Sequence, residues 1–504
     1  MNKFKQKFTS YVKGQGFSAT VLTAIIIAAV VFVNILIYTL STVYPLYISS
    51  PEKQDFSISD ASDALFKKHE EKGNRITITF CSYEDAVASH YMGVNVLKTA
   101  KELEKNYPDL ISIRFINAIT KLDSEGKSVV DELKTYSDGG KTAIDGTSVV
   151  ISSDTRFRVM PSYNGNGYAD FYTLDAASQV SSYNGEESFV SSIMWTLSDQ
   201  HGVAYITVGH GETATPSLHK ILTAAGYEVK DINLRKNDIP EDAELVVISN
   251  PTADFEKGTG NISTEHSRLI DYKEKGGNFF ITLNPFVKKL PVLESFVADF
   301  GVSFYTVESG EKAIIKDSRN GIMTDGFTLI AEYANTPYAN DMKQKITDST
   351  GDKDASVVMR NVAAFQLDSS KNAYPILSAS SSAVCEAEGN TVNTDGNYTI
   401  AACAVAKNDF AGDSKLFVMS DGMMTSGDAV VSNGYSNKDF LYSIFDVFYG
   451  KGEMPYGCNS LIYNTMILEN LTMSSAKIYT AVILAVPAIV AICGAILLRR
   501  RKNR

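Results

Sequence analysis

No two cysteines of this chain stand in a C-x-x-C pair. Cys81, Cys385, Cys403, Cys458 and Cys493 are scattered, so a structural zinc site or a dithiol redox site lacks its ligands. There is no G-x-x-x-x-G-K-[ST] loop, which excludes ATP hydrolysis on a P-loop; SEGKS at 124–128 is a solvated turn. H-E-x-x-H and G-x-S-x-G are absent as well, and with them the usual zinc-protease and serine-hydrolase frameworks. No cysteine falls between Cys81 and Cys385, so a nucleophilic-cysteine elbow is missing from that whole region. Histidine is scarce: His69, His90, His201, His210, His219 and His266 are all there are. Proline and glycine are not elevated, and the 504 residues are 44% hydrophobic, which excludes a disordered body.

Charge is absent from two long stretches. Phe17–Leu40 has no charged residue and no proline; a helix there would cover about 36 Å, against about 30 Å of hydrocarbon. Ile478–Leu498 is its counterpart and contains Pro487, while Asn34 is a polar group inside the first stretch. Both flanks are basic and free of acid: Lys3, Lys5, Lys7 and Lys13 before, Arg499 to Arg501, Lys502 and Arg504 after. Residues 41–476 hold 37 basic and all 58 acidic residues, a net of −21. Such a body repels phosphate, which excludes nucleic acid as a partner. The positive-inside rule predicts two transmembrane helices in a cell-membrane protein, with both termini cytoplasmic and the acidic body extracytoplasmic. The expected divisions are a basic tail (1–16), helix 1 (17–40), an α/β domain with its stalk (41–199), a second α/β domain (202–450), a juxtamembrane segment (451–476), helix 2 (478–498) and a second basic tail (499–504).

Within the body, periodicity predicts an alternation of helices and strands. Residues 57–74 form a capped helix with Ser59 or Asp60 at its start and Gly73 near its end. Strands are expected at 75–83, 111–119 and 147–160, with a helix at 94–110 between the first two. This alternation implies a mostly parallel sheet. The order is thioredoxin-like, but Cys81-Ser82-Tyr83-Glu84 stands where a redox motif would be. Residues 161–185 read as a polar loop or edge hairpin, and 187–199 as a helix. From Gly202 a new unit begins, with strands at 203–208, YEVKDINL, AELVVISNP and GNFFITLNP, and a late buried strand at Leu416–Met419. A Ser263-capped helix joins AELVVISNP to GNFFITLNP, and another helix covers 437–450. Residues 376–406 suggest one hairpin turning at 391–396, which would set Cys385 opposite Cys403. A disulfide and a pair of buried thiols both remain open.

The strand ends carry the candidate site: Gly209-His210-Gly211-Glu212, then Asn250-Pro251, Asn284-Pro285 and Ser420-Asp421. Glycines allow close backbone approach, His210 titrates near neutrality, and Glu212 accepts hydrogen bonds. In open α/β sheets ligands sit at these carboxyl ends. The competing reading is turn chemistry, with His210 and Glu212 capping local backbone. His210, Glu212 and His219 match no standard metal spacing, so no metal or other cofactor is expected.

Taken in order, the strand ending in GHGE, the strand ending in NP, the helix leading to GGNFFITLNP and the late SD strand before NKDFL are similar to one known group. The sequence resembles the GldG-like auxiliary proteins of ABC transport systems, over roughly residues 17–450. The resemblance implies an α/β fold in which a thioredoxin-like unit precedes a glutamine-amidotransferase-like domain with β insertions. It also implies a non-enzymatic accessory subunit that works with a separate ATPase and a permease. On that reading Gly209, His210, Gly211, Glu212, Asn250, Asn284 and Asp421 are candidate ligand-binding residues for an unknown ligand. The alternatives are a hydrolase of envelope material acting through His210 and Glu212, or a plain scaffold.

Overall fold

Ser59 begins the first helix as expected. Its hydroxyl accepts the Ser62 N–H at 3.3 Å, and α1 (Asp60–Glu71) buries Phe66 before Gly73 turns the chain out at φ +74°. The computed structural model describes residues 56–462, apart from 138–141, 161–165, 175–179, 199–201, 214, 259–263, 288, 309, 323–324, 352–353 and 426–434. The described residues fall within one compact unit.

After α1 come β1 (Ile76–Phe80), α2 (Gly93–Asn106) and β2 (Ile111–Asn117), with β1 and β2 parallel. The expected strand at 147–160 is instead two, β3 (Val149–Ser152) and β4 (Phe157–Met160), joined by a tight turn in which Ser153 N–H meets the Arg156 carbonyl at 2.8 Å. Ser153-Asp154-Thr155 are turn formers whose signal the flanking β-branched residues masked. β3 runs antiparallel to β1, so the sheet is mixed rather than mostly parallel: Leu122–Asp123 at one edge, then β2, β1, β3 and β4. Helix α3 (Gly185–Leu197) packs Phe189, Val190 and Ile193 into the core of this sheet. Of the two readings of the stretch before α3, the hairpin is the one observed: Tyr172–Leu174 pairs antiparallel with Val180–Tyr183, and the stretch buries Tyr168, Phe171, Tyr172 and Tyr183.

The second sheet starts with β5 (Gly202–Thr207), α4 (Pro216–Ala224), β6 (Tyr227–Ile232), β7 (Ala243–Ser249), α5 (Glu265–Glu274) and β8 (Asn278–Thr282), followed by α6 (Pro291–Ala298). Farther on come β9 (Ile314–Lys316), β10 (Thr328–Tyr333), α7 (Pro337–Thr350), β11 (Val357–Arg360), β12 (Ala373–Ser378), β13 (Val384–Ala387), β14 (Asn390–Asn393), β15 (Thr399–Ala406), β16 (Ser414–Met419) and α8 (Asn437–Ser443). The main path across the sheet is β11-β10-β12-β15-β16-β8-β7-β5-β6. β16, β8, β7, β5 and β6 are parallel, and the rest of the path is antiparallel. The centres of β7, β8 and β16 are fully buried, because helices cover both faces.

One helix has no counterpart in the sequence reading and one expectation changes. The polar stretch around 340–350 is the helix α7, capped by Thr336 and closed by Gly351 at φ +73°. Only Ala339, Met342 and Ile346 face inward, too few to show a stripe by composition. The single hairpin at 376–406 is replaced by a separate small sheet, β9-β13-β14, with β15 returning to the main sheet. Cys385 therefore pairs across to Asn393 while Cys403 lies opposite Tyr374 and Phe417. Both thiols are buried and free.

The expected two-span architecture is corrected. The stretches 17–40 and 478–498 lie outside the described residues, and so do both basic tails and residues 41–55 of the stalk. Among the described residues no helix is long and apolar enough to cross a membrane. The longest, α2 and α7, have 14 residues each, about 21 Å, and carry charges. The multi-pass location inferred from the two spans is withdrawn with them.

Candidate functional site

The chain leaves β5 for β6 on one side and for β7, β8 and β16 on the other. The carboxyl ends of β5 and β7 thus flank the point where strand order reverses, the usual ligand crevice of such sheets. Gly209–Glu212 follow β5 at this point and Asn250 follows β7. Gly209 and Gly211 have φ of +118° and +73°. A Cβ on Gly211 would sit 2.1 Å from the Thr252 hydroxyl, so close contact between the two loops requires glycine there.

This contact is extensive. The His210 carbonyl accepts N–H groups from Thr252 (2.8 Å) and Ala253 (2.9 Å), and Thr213 and Ser249 exchange hydrogen bonds. His210 does not point to solvent. Its ring stacks on Phe255 with centroids 4.0 Å apart. Nδ1 is 3.0 Å from Glu212 Oε1, and Nε2 is 3.0 Å from both oxygens of Glu265. The other Glu212 oxygen accepts the His210 backbone N–H at 2.6 Å. Glu265 is the first residue of α5, beside its Thr264 cap. It also accepts the Glu256 N–H at 2.8 Å and lies 3.4 Å from Arg235 Nε. The three side chains are 0–3% exposed.

Both ring nitrogens face carboxylate oxygens, an arrangement that needs both to donate, and therefore an imidazolium. Burial opposes that charge, but the Glu212 and Glu265 carboxylates outweigh it and raise the His210 pKa. Burial likewise disfavours ionised Glu212, and the bonds from His210 and the backbone reverse it, leaving its pKa lowered. An imidazolium so held has no lone pair to act as a base or bind a metal. Among the described residues no group of His, Cys, Asp or Glu could hold a metal ion. His219 is on α4.

Three other predicted residues meet close by. Asn250, at φ +49°, donates from Nδ2 to the Gly422 carbonyl at 3.0 Å, and its buried Oδ1 has no partner among the described residues. Gly422 lies against the Asn284 side chain, whose Oδ1 accepts the Phe286 N–H at 3.0 Å. Asp421 is buried and accepts N–H groups from Arg360, Met423 and Met424; burial nevertheless pushes its carboxyl up to about 6. The fold thus gathers every predicted site residue at one end of the sheet, as interlocking loops. Sequence reasoning missed Glu265, Phe255 and Arg235. Only Glu265 had a visible signal, an acidic residue just after a helix cap.

Two open grooves lie elsewhere. One, of about 590 Å³, is at the amino ends of β7 and β8 and includes Arg268, Tyr272 and Asn278. The other, of about 690 Å³, begins one residue beyond Asn284, at Pro285 and Phe286.

No family model and no curated protein matches this chain. Solved structures similar to it include the mmIFT52 N-terminal domain (15% identity, 49% of this chain and 96% of that one, TM-score 0.35). Others are a thua-like protein from Bacteroides uniformis (14%, 50% and 90%, 0.30) and PurLQS from Thermotoga maritima (15%, 49% and 100%, 0.30). At these scores the likenesses carry neither family nor function.

Proposed function

We propose that this chain is a non-catalytic, GldG-like accessory component of an ABC transport system. Its α/β body engages a substrate or protein partner, and a separate ATPase supplies the energy. The observation that carries this reading is the state of the crevice at the strand reversal. His210 fills it, both its nitrogens are engaged, and its side chain is fully buried. A hydrolase would need a reacting group there that a substrate can touch. Gly209–Glu212 instead hold the ends of β5, β7 and α5 together, which suits a rigid recognition body.

The test is affinity capture of the tagged full chain in several mild detergents, followed by mass spectrometry. An ATPase and a polytopic permease recovered in near-equal amounts are the expected result. Absence of both across all detergents overturns the proposal.

A further inference from the structure

The two sheets keep separate cores. That of the first sheet gathers Phe66, Phe80, Phe189 and their neighbours with Cys458, and includes no residue of 202–450. The cores on the two faces of the second sheet include no residue of 56–199. Among the described residues, then, no buried apolar cluster is shared by the two α/β units, and the side chains that join them are polar. Glu187 on α3 receives Lys438 at 3.2 Å and the Tyr442 hydroxyl, both from α8. Lys220 on α4 donates to the Tyr172 carbonyl at 2.9 Å and lies within electrostatic reach of Asp170, Glu187 and Arg158. Arg158 Nη1 is buried with no hydrogen-bond partner among the described residues. Ionised groups withdrawn from water hold a seam weakly, because desolvation offsets their attraction, and an unpartnered guanidinium N–H is a direct cost. Opening the seam returns these groups to water. Polar interfaces between units of one chain are where relative motion is expected.

One segment crosses the seam. Residues 451–462 begin on the second unit, where Lys451 pairs with Glu244 and Met454 and Tyr456 enter the core. The Tyr456 hydroxyl reaches Asp446 at 3.0 Å, and Gly457, at φ +62°, donates its N–H to Asp439 at 2.8 Å. The chain then changes sides. Cys458 and Leu461 pack into the core of the first unit, the Asn459 N–H donates to Glu186 at 2.9 Å, and Leu461–Ile462 adds a strand beside Val180–Tyr183. Glu453 also takes Lys68 and His69 of α1. Among the described residues this strap is the segment that places apolar side chains in the cores of both units.

We infer that the two α/β units are lobes that part at this seam, and that residues 451–462 are the clasp that holds it shut. Release of the clasp lets each lobe move as a body with its own core intact, and uncovers Glu187, Lys220 and Lys438. The inference holds whether or not the transporter reading does.

The test is amide hydrogen exchange, read by mass spectrometry on the full chain and its variants. Gly457→Pro removes the N–H that Asp439 accepts and forbids a φ of +62°, so it loosens the strap where it changes sides. Lys438→Met removes the ion pair across the seam. Each variant should speed exchange at least tenfold in peptides from α3, α4 and α8, which meet at the seam, and leave β1 and β8 within twofold of wild type. Protection retained in β1 and β8 also verifies that both units are folded. Gly389→Pro, the same change at a positive-φ turn of the β9-β13-β14 sheet, should leave all five elements within twofold. Equal acceleration in β1 and β8 overturns the inference, because the molecule then opens only by unfolding. Seam exchange unchanged in either variant overturns it, as does acceleration confined to 451–462 or a seam response to Gly389→Pro.

Discussion

His210 between Glu212 and Glu265 shows how a site-like motif becomes a structural bolt. Each carboxylate alone would be costly to bury, and the imidazolium between them offsets both. His210→Ala leaves two buried carboxylates without their cation and should destabilise the fold by about 3–5 kcal/mol in urea titrations. The pH dependence follows from the shifts. The contribution of His210 is complete below the ordinary histidine value and is lost as pH rises through its raised folded value. Glu212 acts oppositely: its contribution holds above the ordinary carboxylate value and is lost as pH falls through its lowered one. Wild-type stability should therefore decline on the alkaline side of neutrality, and His210→Asn should remove that slope. A slope unchanged in the variant would refute the assignment.

At the scale of elements, β11 ends the large sheet and would expose a free edge. The start of α8 covers it. Asn437 accepts the Val358 N–H at 2.8 Å and donates to the Val358 carbonyl at 2.9 Å, so its carboxamide replaces a peptide of a missing strand. Asn437→Ala should cost about 1–3 kcal/mol, because two partly buried backbone groups lose their partner. Amide hydrogen exchange at Val358 should accelerate in that variant while β7 and β8 stay protected. Equal acceleration throughout would mean that the edge is not separately held. This contact pairs residues 79 positions apart and has no local signal. The Ser59 cap is legible from composition and spacing, since a cap acts within a turn of the helix it starts; the Thr336 and Gly351 caps lie on a stretch that reads only as polar.

At the scale of the molecule, the first turn of α3 ties distant segments together. One Glu186 oxygen accepts the Ser59 N–H at 2.8 Å and the hydroxyls of Ser59 and Ser62 at 2.6 Å; the other accepts the Asn459 N–H at 2.9 Å. Glu187 receives Lys438 at 3.2 Å and the Tyr442 hydroxyl, both on α8. Leu461–Ile462 then pairs with Val180–Tyr183. The first and last described segments are thus fixed to one helix. Glu186→Ala should raise limited-proteolysis rates both near Ser59 and near Asn459. Acceleration at only one of them would show that the two segments are not coupled through this carboxylate.

The sequence alone determined the Ser59 cap, the buried centres of β7, β8 and β16, and the gathering of small polar motifs at strand ends, because each depends on neighbours along the chain; the α5 cap is Thr264, not the expected Ser263, which lies outside the described residues. Its two long apolar runs also predicted a two-span protein, a reading corrected by described helices of 14 residues at most. Only the tertiary structure decided which way β3 runs, that Cys385 and Cys403 belong to different sheets, and that His210 is sealed rather than offered to a ligand. Those outcomes depend on Glu265, 55 positions from His210, and on strand pairings that close only when the whole sheet is assembled. Local propensity contains no term for them.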